Sequence, residues 1–264
     1  MNIGVIGLGI VGSAYKDGFT LWGHTVTGYD KKGKNNFRKI LNCDLVFICV
    51  PTPSKKDGSC DISIIASVLS KLSKSNYSGE AVICSTVEPG STNKLQLMYK
   101  NLKISCVPEI LRERCAFKDF VDNSKVLVIG TNRSKSYRLI KKCFSKKMNP
   151  YRTTPEEAEI FKYFNNTFAA LKVVYGNIIY DISKKFNANY SKIKKIYIAT
   201  GKTKDFYLDV NEKLRGYAGV CLPKDTLALS RLMKKKGLKF SLISSIHRDN
   251  LKLKKTVFKG MRKK

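Results

Sequence analysis

Apolar positions in the first half of the chain fall into short runs separated by polar stretches. Residues 2–6, 25–30, 44–50, 81–85, 104–108 and 126–130 each read as a buried strand. Helical patterns lie between most of them, the clearest over 62–74. Strands alternating with helices imply parallel pairing with crossover helices. Residues 1–150 are therefore expected to form a doubly wound α/β (Rossmann) domain with a parallel sheet.

The pattern changes after residue 150. Thr154-Pro155-Glu156-Glu157 carries three helix-start signals: a capping hydroxyl, a proline at the first helical position and a glutamate that completes a capping box. Neither proline nor glycine interrupts the pattern before Gly176, and the helix is expected to reach about residue 185. Phe161, Phe164, Phe168, Leu171, Tyr175 and Ile178 recur at helical spacing, which predicts a core or dimer-contact stripe. Such a helix is over ~40 Å long, enough to join two domains. Residues 151–264 are expected to be a mostly helical second domain, ending in the basic Arg262-Lys263-Lys264 tail.

Composition narrows the class. At 43% hydrophobic and 27% charged, the 264 residues are globular, and the longest apolar run, 45–51, is too short for a membrane span. No basic region precedes an apolar stretch at the N-terminus, so no signal peptide and a cytoplasmic location are expected. The eight cysteines are scattered, with no CxxC pair and only two histidines, which argues against zinc, any other metal and a disulfide framework. The net charge is +30, yet only ten of the fifty basic residues are arginine and the lysines are dispersed. Arginine dominates base and bidentate phosphate recognition, so nucleic acid is not the expected partner.

The first strand leads into Gly7-Leu-Gly9-Ile10-Val11-Gly12 and a helical pattern. Gly7 permits a tight turn, Gly9 lets backbone approach a pyrophosphate, and Gly12 allows helix and strand to pack closely. The pyrophosphate would rest on the amides that open the helix, around Ile10 and Val11. Asp30 ends the second strand, near the spacing at which an acid meets the adenosine ribose and repels a 2′-phosphate. NAD is thus favoured over NADP, with Lys31 and Lys32 acting against that preference. Asp30 can also be read as an ordinary turn acid.

Five further segments occur in order along the chain. They are Val50-Pro51-Thr52-Pro53 with Asp57-Gly-Ser-Cys-Asp61-Ile-Ser63; Ser85-Thr86-Val-Glu-Pro-Gly90; Pro108-Glu109-Ile-Leu111-Arg112-Glu113; Ala158-Glu159-Ile-Phe-Lys162-Tyr-Phe-Asn-Asn166; and Gly216-Tyr217-Ala-Gly219-Val-Cys221-Leu-Pro-Lys-Asp225. Together they resemble the UDP-glucose/GDP-mannose dehydrogenase family, over nearly the whole chain. The resemblance implies oxidation of a nucleotide sugar's primary alcohol to a carboxylate with two NAD, UDP-glucose to UDP-glucuronate first among the choices.

By resemblance, Cys221 is the nucleophile that carries a thiohemiacetal and then a thioester. A free thiol ionises at a pKa of about 8.5, so it needs a cation or a helix end beside it. Lys162 and Asn166, four apart on the long helix, share one face, and an ammonium and an amide aimed together suit an oxyanion. Asp225 would hold water or tune the thiol, and Thr86 and Glu113 would organise water. Val50, Pro51, Thr52, Ser85 and Thr86 would lie along the cofactor. Glu109, Leu111, Arg112, Glu113, Lys162, Asn166, Tyr217 and Gly219 would meet the substrate. The family also implies a homodimer built through the long helix.

Three features depart from the family. Ala218 stands where glycine is usual, and a Cβ there excludes left-handed backbone. The Thr200-Gly-Lys202-Thr-Lys204-Asp205 region lacks the family's arginine, with Lys202 or Lys204 as point-charge substitutes. The family's C-terminal nucleotide-binding domain is absent from these 264 residues, which predicts a weak grip on the nucleotide. Two other readings stay open: a 3-hydroxyacid dehydrogenase of the 6-phosphogluconate type, which needs no cysteine, and a non-catalytic NAD-binding remnant paired with a complete paralogue.

Overall fold

The computed structural model describes residues 1–33 and 36–253; the basic tail at 262–264 lies outside them. The chain divides into two compact units. The first comprises Met1–Pro53 and Cys60–Lys162, and the second Ser54–Ser59 and the chain from Tyr163 onward.

The first unit runs β1 (Asn2–Ile6), α1 (Ile10–Leu21), β2 (Thr25–Tyr29), β3 (Leu45–Ile48), α2 (Ser63–Lys74), β4 (Glu80–Ile83), α3 (Ser91–Met98), β5 (Lys103–Cys106), the single turn α4 (Ala116–Lys118), β6 (Val126–Gly130), α5 (Ser134–Lys141) and β7 (Asn149–Thr153). The seven strands form one sheet in the order β2-β1-β3-β4-β5-β6-β7. The first five are parallel. The order reverses at β1, so the loop that follows β1 opens at the topological switch point, where such sheets bind ligands.

Strand residues alternate between two buried clusters. Val46 and Ile48 face one, with Ile65, Leu69 and Leu72 of α2. Leu45 and Phe47 face the other, with Tyr15 and Phe19 of α1. Both faces of the sheet are thus covered, as a parallel sheet requires.

The sheet is not parallel throughout. β5 meets β6 antiparallel through the pair Cys106↔Gly130, and β6 and β7 are parallel to each other. The segment between β5 and β6 contains only short turns. Its Phe120 packs on Tyr15, Phe19 and Trp22 at 4.5, 5.3 and 4.9 Å between ring centroids. That stretch covers α1 instead of forming the crossover helix that a parallel connection needs. β7 has no apolar run to announce it: Asn149-Pro-Tyr-Arg-Thr153 is largely exposed, and proline is tolerated on an edge strand. The boundary expected at 150 falls inside β7, and the compact unit continues to Lys162.

α6 (Pro155–Lys185) starts in the first unit and continues in the second. Its predicted capping box is formed: Glu157 N donates to Thr154 Oγ1 at 3.2 Å, and Thr154 N donates to Glu157 Oε2 at 2.8 Å. The second unit continues with α7 (Tyr190–Ala199), α8 (Cys221–Lys235) and α9 (Leu242–Lys252) around a small core of Ala170, Val174, Tyr217 and Ile246. Most of the predicted stripe on α6 lies outside that core: Phe164, Phe168, Tyr175 and Ile178 are exposed. Among the described residues, no helix is long and apolar enough to cross a membrane.

Candidate active site

In the first unit the Gly-rich loop joins β1 to α1. Gly7 has φ +90°, and a Cβ there would stand 2.8 Å from the Cys49 carbonyl oxygen. A Cβ on Gly12 would fall 1.8 Å from the Gly7 carbonyl oxygen. Both positions therefore demand glycine. Gly9 differs, since a Cβ there would meet nothing within 4 Å. The open space lies at the N-cap of α1, where no side chain caps the first amides and Ile10 is exposed. A diphosphate fits this place, because amides without an internal partner and the positive end of the helix dipole both favour an anion.

Asp30 is built into the loop. Its Oδ2 accepts from Leu8 N at 2.8 Å and its Oδ1 from Lys32 N at 2.9 Å. These backbone donors, Lys32 first, hold its carboxyl below the usual range. The turn-acid role and a place beside the Gly-rich loop are thus combined in one residue.

The ends of β3 and β4 are tied together next. Thr52 Oγ1 donates to Thr86 O at 2.8 Å, and Ser85 Oγ donates to Val50 O at 2.6 Å. Val50 and Thr52 are buried, Pro51 is exposed, and Ser85 and Thr86 are half-buried.

The Lys162 ammonium is buried at 4% exposure. It donates to the Glu109 carbonyl at 2.5 Å and to Glu109 Oε1 at 3.1 Å, while Glu109 Oε2 accepts from Leu111 N at 2.7 Å. This segment is fixed at its other end by Arg112. The Arg112 guanidinium grips Asp119 through Nε at 2.9 Å and Nη2 at 2.7 Å, and it holds the Asp119 carboxyl far below the usual carboxylate range. Arg112, expected on the substrate side, is thus committed at least in part to Asp119. Glu113 is exposed at the start of a short 3-10 turn.

Glu159 lies in the Ala158–Asn166 motif, where the sequence reading gives it no role. Its carboxylate accepts from Gly90 N at 2.6 Å and Thr92 N at 2.8 Å. It thereby caps α3 and fixes the Ser85–Gly90 turn, while burial pushes its pKa up. The sequence signal was an acid one turn before Lys162.

In the second unit, Asn166 Nδ2 donates to Asp225 Oδ2 at 2.5 Å and Asn166 Oδ1 accepts from Asn165 at 2.9 Å. Asp225 is fully buried and also accepts from Lys224 Nζ at 2.6 Å. Cys221 is the first residue of α8, one turn before Asp225, and is exposed. Val220, the N-cap of that helix, makes no side-chain cap hydrogen bond, and the helix dipole favours negative charge there. The seven other cysteines are buried or half-buried, and none of the eight is in a disulfide.

The strand of chain before α8 is held by Asn250, which pairs with Tyr217 N at 2.7 Å and Tyr217 O at 2.9 Å. Positive φ falls on Gly216 and Gly219, at +62° and +84°, and not on Ala218. The Ala218 Cβ therefore imposes no left-handed strain. Lys204 presents its carbonyl to Lys172 Nζ at 2.9 Å in the segment that lacks the family's arginine.

Residues 32–148 match the NAD binding domain of the UDP-glucose/GDP-mannose dehydrogenase family, and residues 156–252 match its central domain. The chain belongs to this family. Its cofactor is NAD, as the matched domain implies. It is 31% identical over 225 residues to the UDP-glucose 6-dehydrogenase of Rickettsia prowazekii, covering 82% of this chain and 50% of that protein. The chain thus spans about half the length of this curated relative. Among solved structures, a UDP-glucose dehydrogenase from Pyrobaculum islandicum superposes with a TM-score of 0.87 at 24% identity, covering 95% of this chain and 68% of the other. The 3-hydroxyisobutyrate dehydrogenase of Mycobacterium tuberculosis superposes at 0.70 with 13% identity, covering 95% and 92%. At these identities both structures speak to fold alone.

Proposed function

We propose that the chain oxidises the primary alcohol of a nucleotide sugar to a carboxylate in two NAD-dependent stages, with UDP-glucose as the first candidate. The reading is carried by Cys221 as the first residue of α8, one turn from an Asp225 that holds Asn166. The names of its relatives support the substrate class. The balance is one alcohol, one water and two NAD⁺ giving one carboxylate, two NADH and three protons.

NAD, when bound, accepts the two hydrides in turn. The chain's own residues do the rest. The Cys221 thiolate adds to the carbonyl carbon of the intermediate aldehyde and forms a C–S bond, giving a thiohemiacetal. Loss of the second hydride leaves a thioester. Water then breaks the C–S bond and returns the thiol. An asparagine amide has two N–H groups, and Asp225 takes one of those on Asn166, so the other can meet the oxyanion. Lys162, one turn earlier on α6, is the second donor in this reading, with Glu109 holding its ammonium in place. Each such donor is worth about 3 kcal/mol of barrier. In the same reading the Gly-rich loop and Asp30 hold NAD, Thr86 and Glu113 order water, and the working unit is a homodimer through α6.

Counting NADH formed per sugar consumed tests the proposal, across UDP-glucose, UDP-GlcNAc, UDP-ManNAc and GDP-mannose. Wild type is expected to form two, and Cys221→Ser is expected to lose full turnover because a serine ester replaces the thioester poorly. An unchanged rate and ratio in Cys221→Ser would overturn the cysteine mechanism and favour the hydroxyacid reading, which shares the fold.

A further inference from the structure

The first unit carries a second concavity, a groove of about 890 Å³ that the proposed chemistry does not use. It is lined by residues from the end of α1 and the start of β2, from the end of α5 and the turn after it, and from the starts of β6 and β7. The Gly-rich loop opens α1, whereas Trp22 closes it. Twelve helical residues, about 18 Å, therefore separate the two places along that helix.

The groove has an apolar floor. Leu127, Phe144 and Met148 belong to the buried core. Trp22 is half-exposed, and one face of its indole stacks on Phe120 at 4.9 Å and 24°. His24 Nε2 lies 3.0 Å from the Cys143 carbonyl. A carbonyl only accepts, so Nε2 carries the hydrogen and a neutral His24 keeps Nδ1 as an acceptor.

The rim has one sign of charge. Arg138, Lys141, Lys142 and Lys146 line it, and no aspartate or glutamate does. Among the described residues none of these four is in an ion pair. By contrast, Arg112, Arg133, Lys162 and Lys224 are each matched to a carboxylate. A ligand suited to this groove needs a flat apolar part for the floor and several negative charges for the rim. The volume falls in the range of small-molecule pockets, roughly 300–1,000 Å³. A nucleoside polyphosphate meets each of these demands: its base has a π-face for Trp22 and amino groups for His24, and its phosphates match a row of cations.

We infer that this groove is a second nucleotide site, one that takes a nucleoside polyphosphate independently of the dinucleotide at the Gly-rich loop. Trp22 is the single tryptophan of the chain, so it reports on its own site. The experiment follows Trp22 fluorescence on titration with ATP in the presence of saturating NAD, for wild type and for Lys142→Glu/Lys146→Glu. Both substituted side chains are exposed, so the fold is retained, and NAD affinity serves as the control. Saturable quenching is expected, weakened about tenfold or more by the double charge reversal, with NAD binding unchanged. Tripolyphosphate is expected to displace ATP only weakly, because it has no base. Absence of saturable quenching, quenching that NAD abolishes, or quenching indifferent to the charge reversal would overturn the inference. So would tripolyphosphate binding as tightly as ATP, which marks a mere anion patch, or a single-stranded oligonucleotide binding far more tightly, which marks a nucleic-acid surface.

Discussion

Asn166 on α6 donates its side-chain amide to Asp225 on α8 at 2.5 Å, and that carboxylate is fully buried. The second oxygen of Asp225 takes Lys224 at 2.6 Å, an ammonium that is itself only 11% exposed. One acid thus orients an amide and neutralises a cation within a turn of Cys221.

Removing that acid should be costly. Asp225→Ala leaves Lys224 as a buried charge without its partner, a loss of about 3 kcal/mol, which for a chain of this size is about 6–12 °C in Tm. Asp225→Asn keeps the volume and should recover part of that stability. It should not recover turnover, because an amide in that place no longer fixes which atom Asn166 presents. Thermal unfolding and NADH production on the same samples check this. Full activity in a folded Asp225→Asn protein would remove Asp225 from the site.

Asp30 should set cofactor choice and strength together. Its carboxylate accepts two backbone amides, one of them from inside the Gly-rich loop. NAD is expected to bind more tightly than NADP, and Asp30→Ala is expected to weaken NAD about tenfold through the loss of loop order and of the ribose contact. Titration of both cofactors decides it. Tighter NADP binding by wild type would show that Lys31 and Lys32 outweigh the acid.

Much of this was legible in the chain itself. The six apolar strands and the capped start of α6 could be read because periodicity and capping are local signals. So could the Gly-rich loop, whose glycines are dictated by contacts of 2.8 and 1.8 Å. β7 was not legible, because an exposed edge strand containing proline has no hydrophobic alternation to show. Nor was the reversal at β6, which depends on Phe120 being spent on α1. At the candidate site, it was the resemblance to a family, not spacing alone, that pointed to Lys162, Asn166, Cys221 and Asp225. Glu159 and Lys224 were missed as partners, since who pairs with whom is a tertiary fact. The exposure of the α6 stripe was equally invisible, because helical spacing alone does not distinguish a covered face from an open one.

The Arg112–Asp119 pair makes a pH-dependent contribution whose sign is fixed. The folded-state pKa of Asp119 is depressed by the Arg112 guanidinium. A depressed acid stabilises fully above its unfolded value, about 3.9, and loses that stabilisation as pH falls through the folded value. The Tm gap between wild type and Asp119→Asn should therefore stay constant from pH 7 to about 5 and then narrow toward acid. A gap that does not change on acidification would show that the pair is not formed in solution.

The open stripe on α6 leads to a prediction about assembly. Phe164, Phe168, Leu171, Tyr175, Ile178 and Ile182 alternate spacings of four and three, the seam of a helix-to-helix contact, and all but Leu171 are at least 45% exposed. Phe164 and Phe168 stack with ring centroids 5.9 Å apart, which flattens that part of the face. A contiguous apolar face of this length is an interaction surface more often than bare surface, and a second copy offers the same seam under two-fold symmetry. Light scattering at micromolar concentration should show a homodimer. Phe164→Glu/Tyr175→Glu should give a monomer, since each charge is buried twice in a symmetric contact, while an exposed position costs the single chain little stability. A wild-type monomer would rule out self-association through α6, and a mutant that remains dimeric would move the contact to another face.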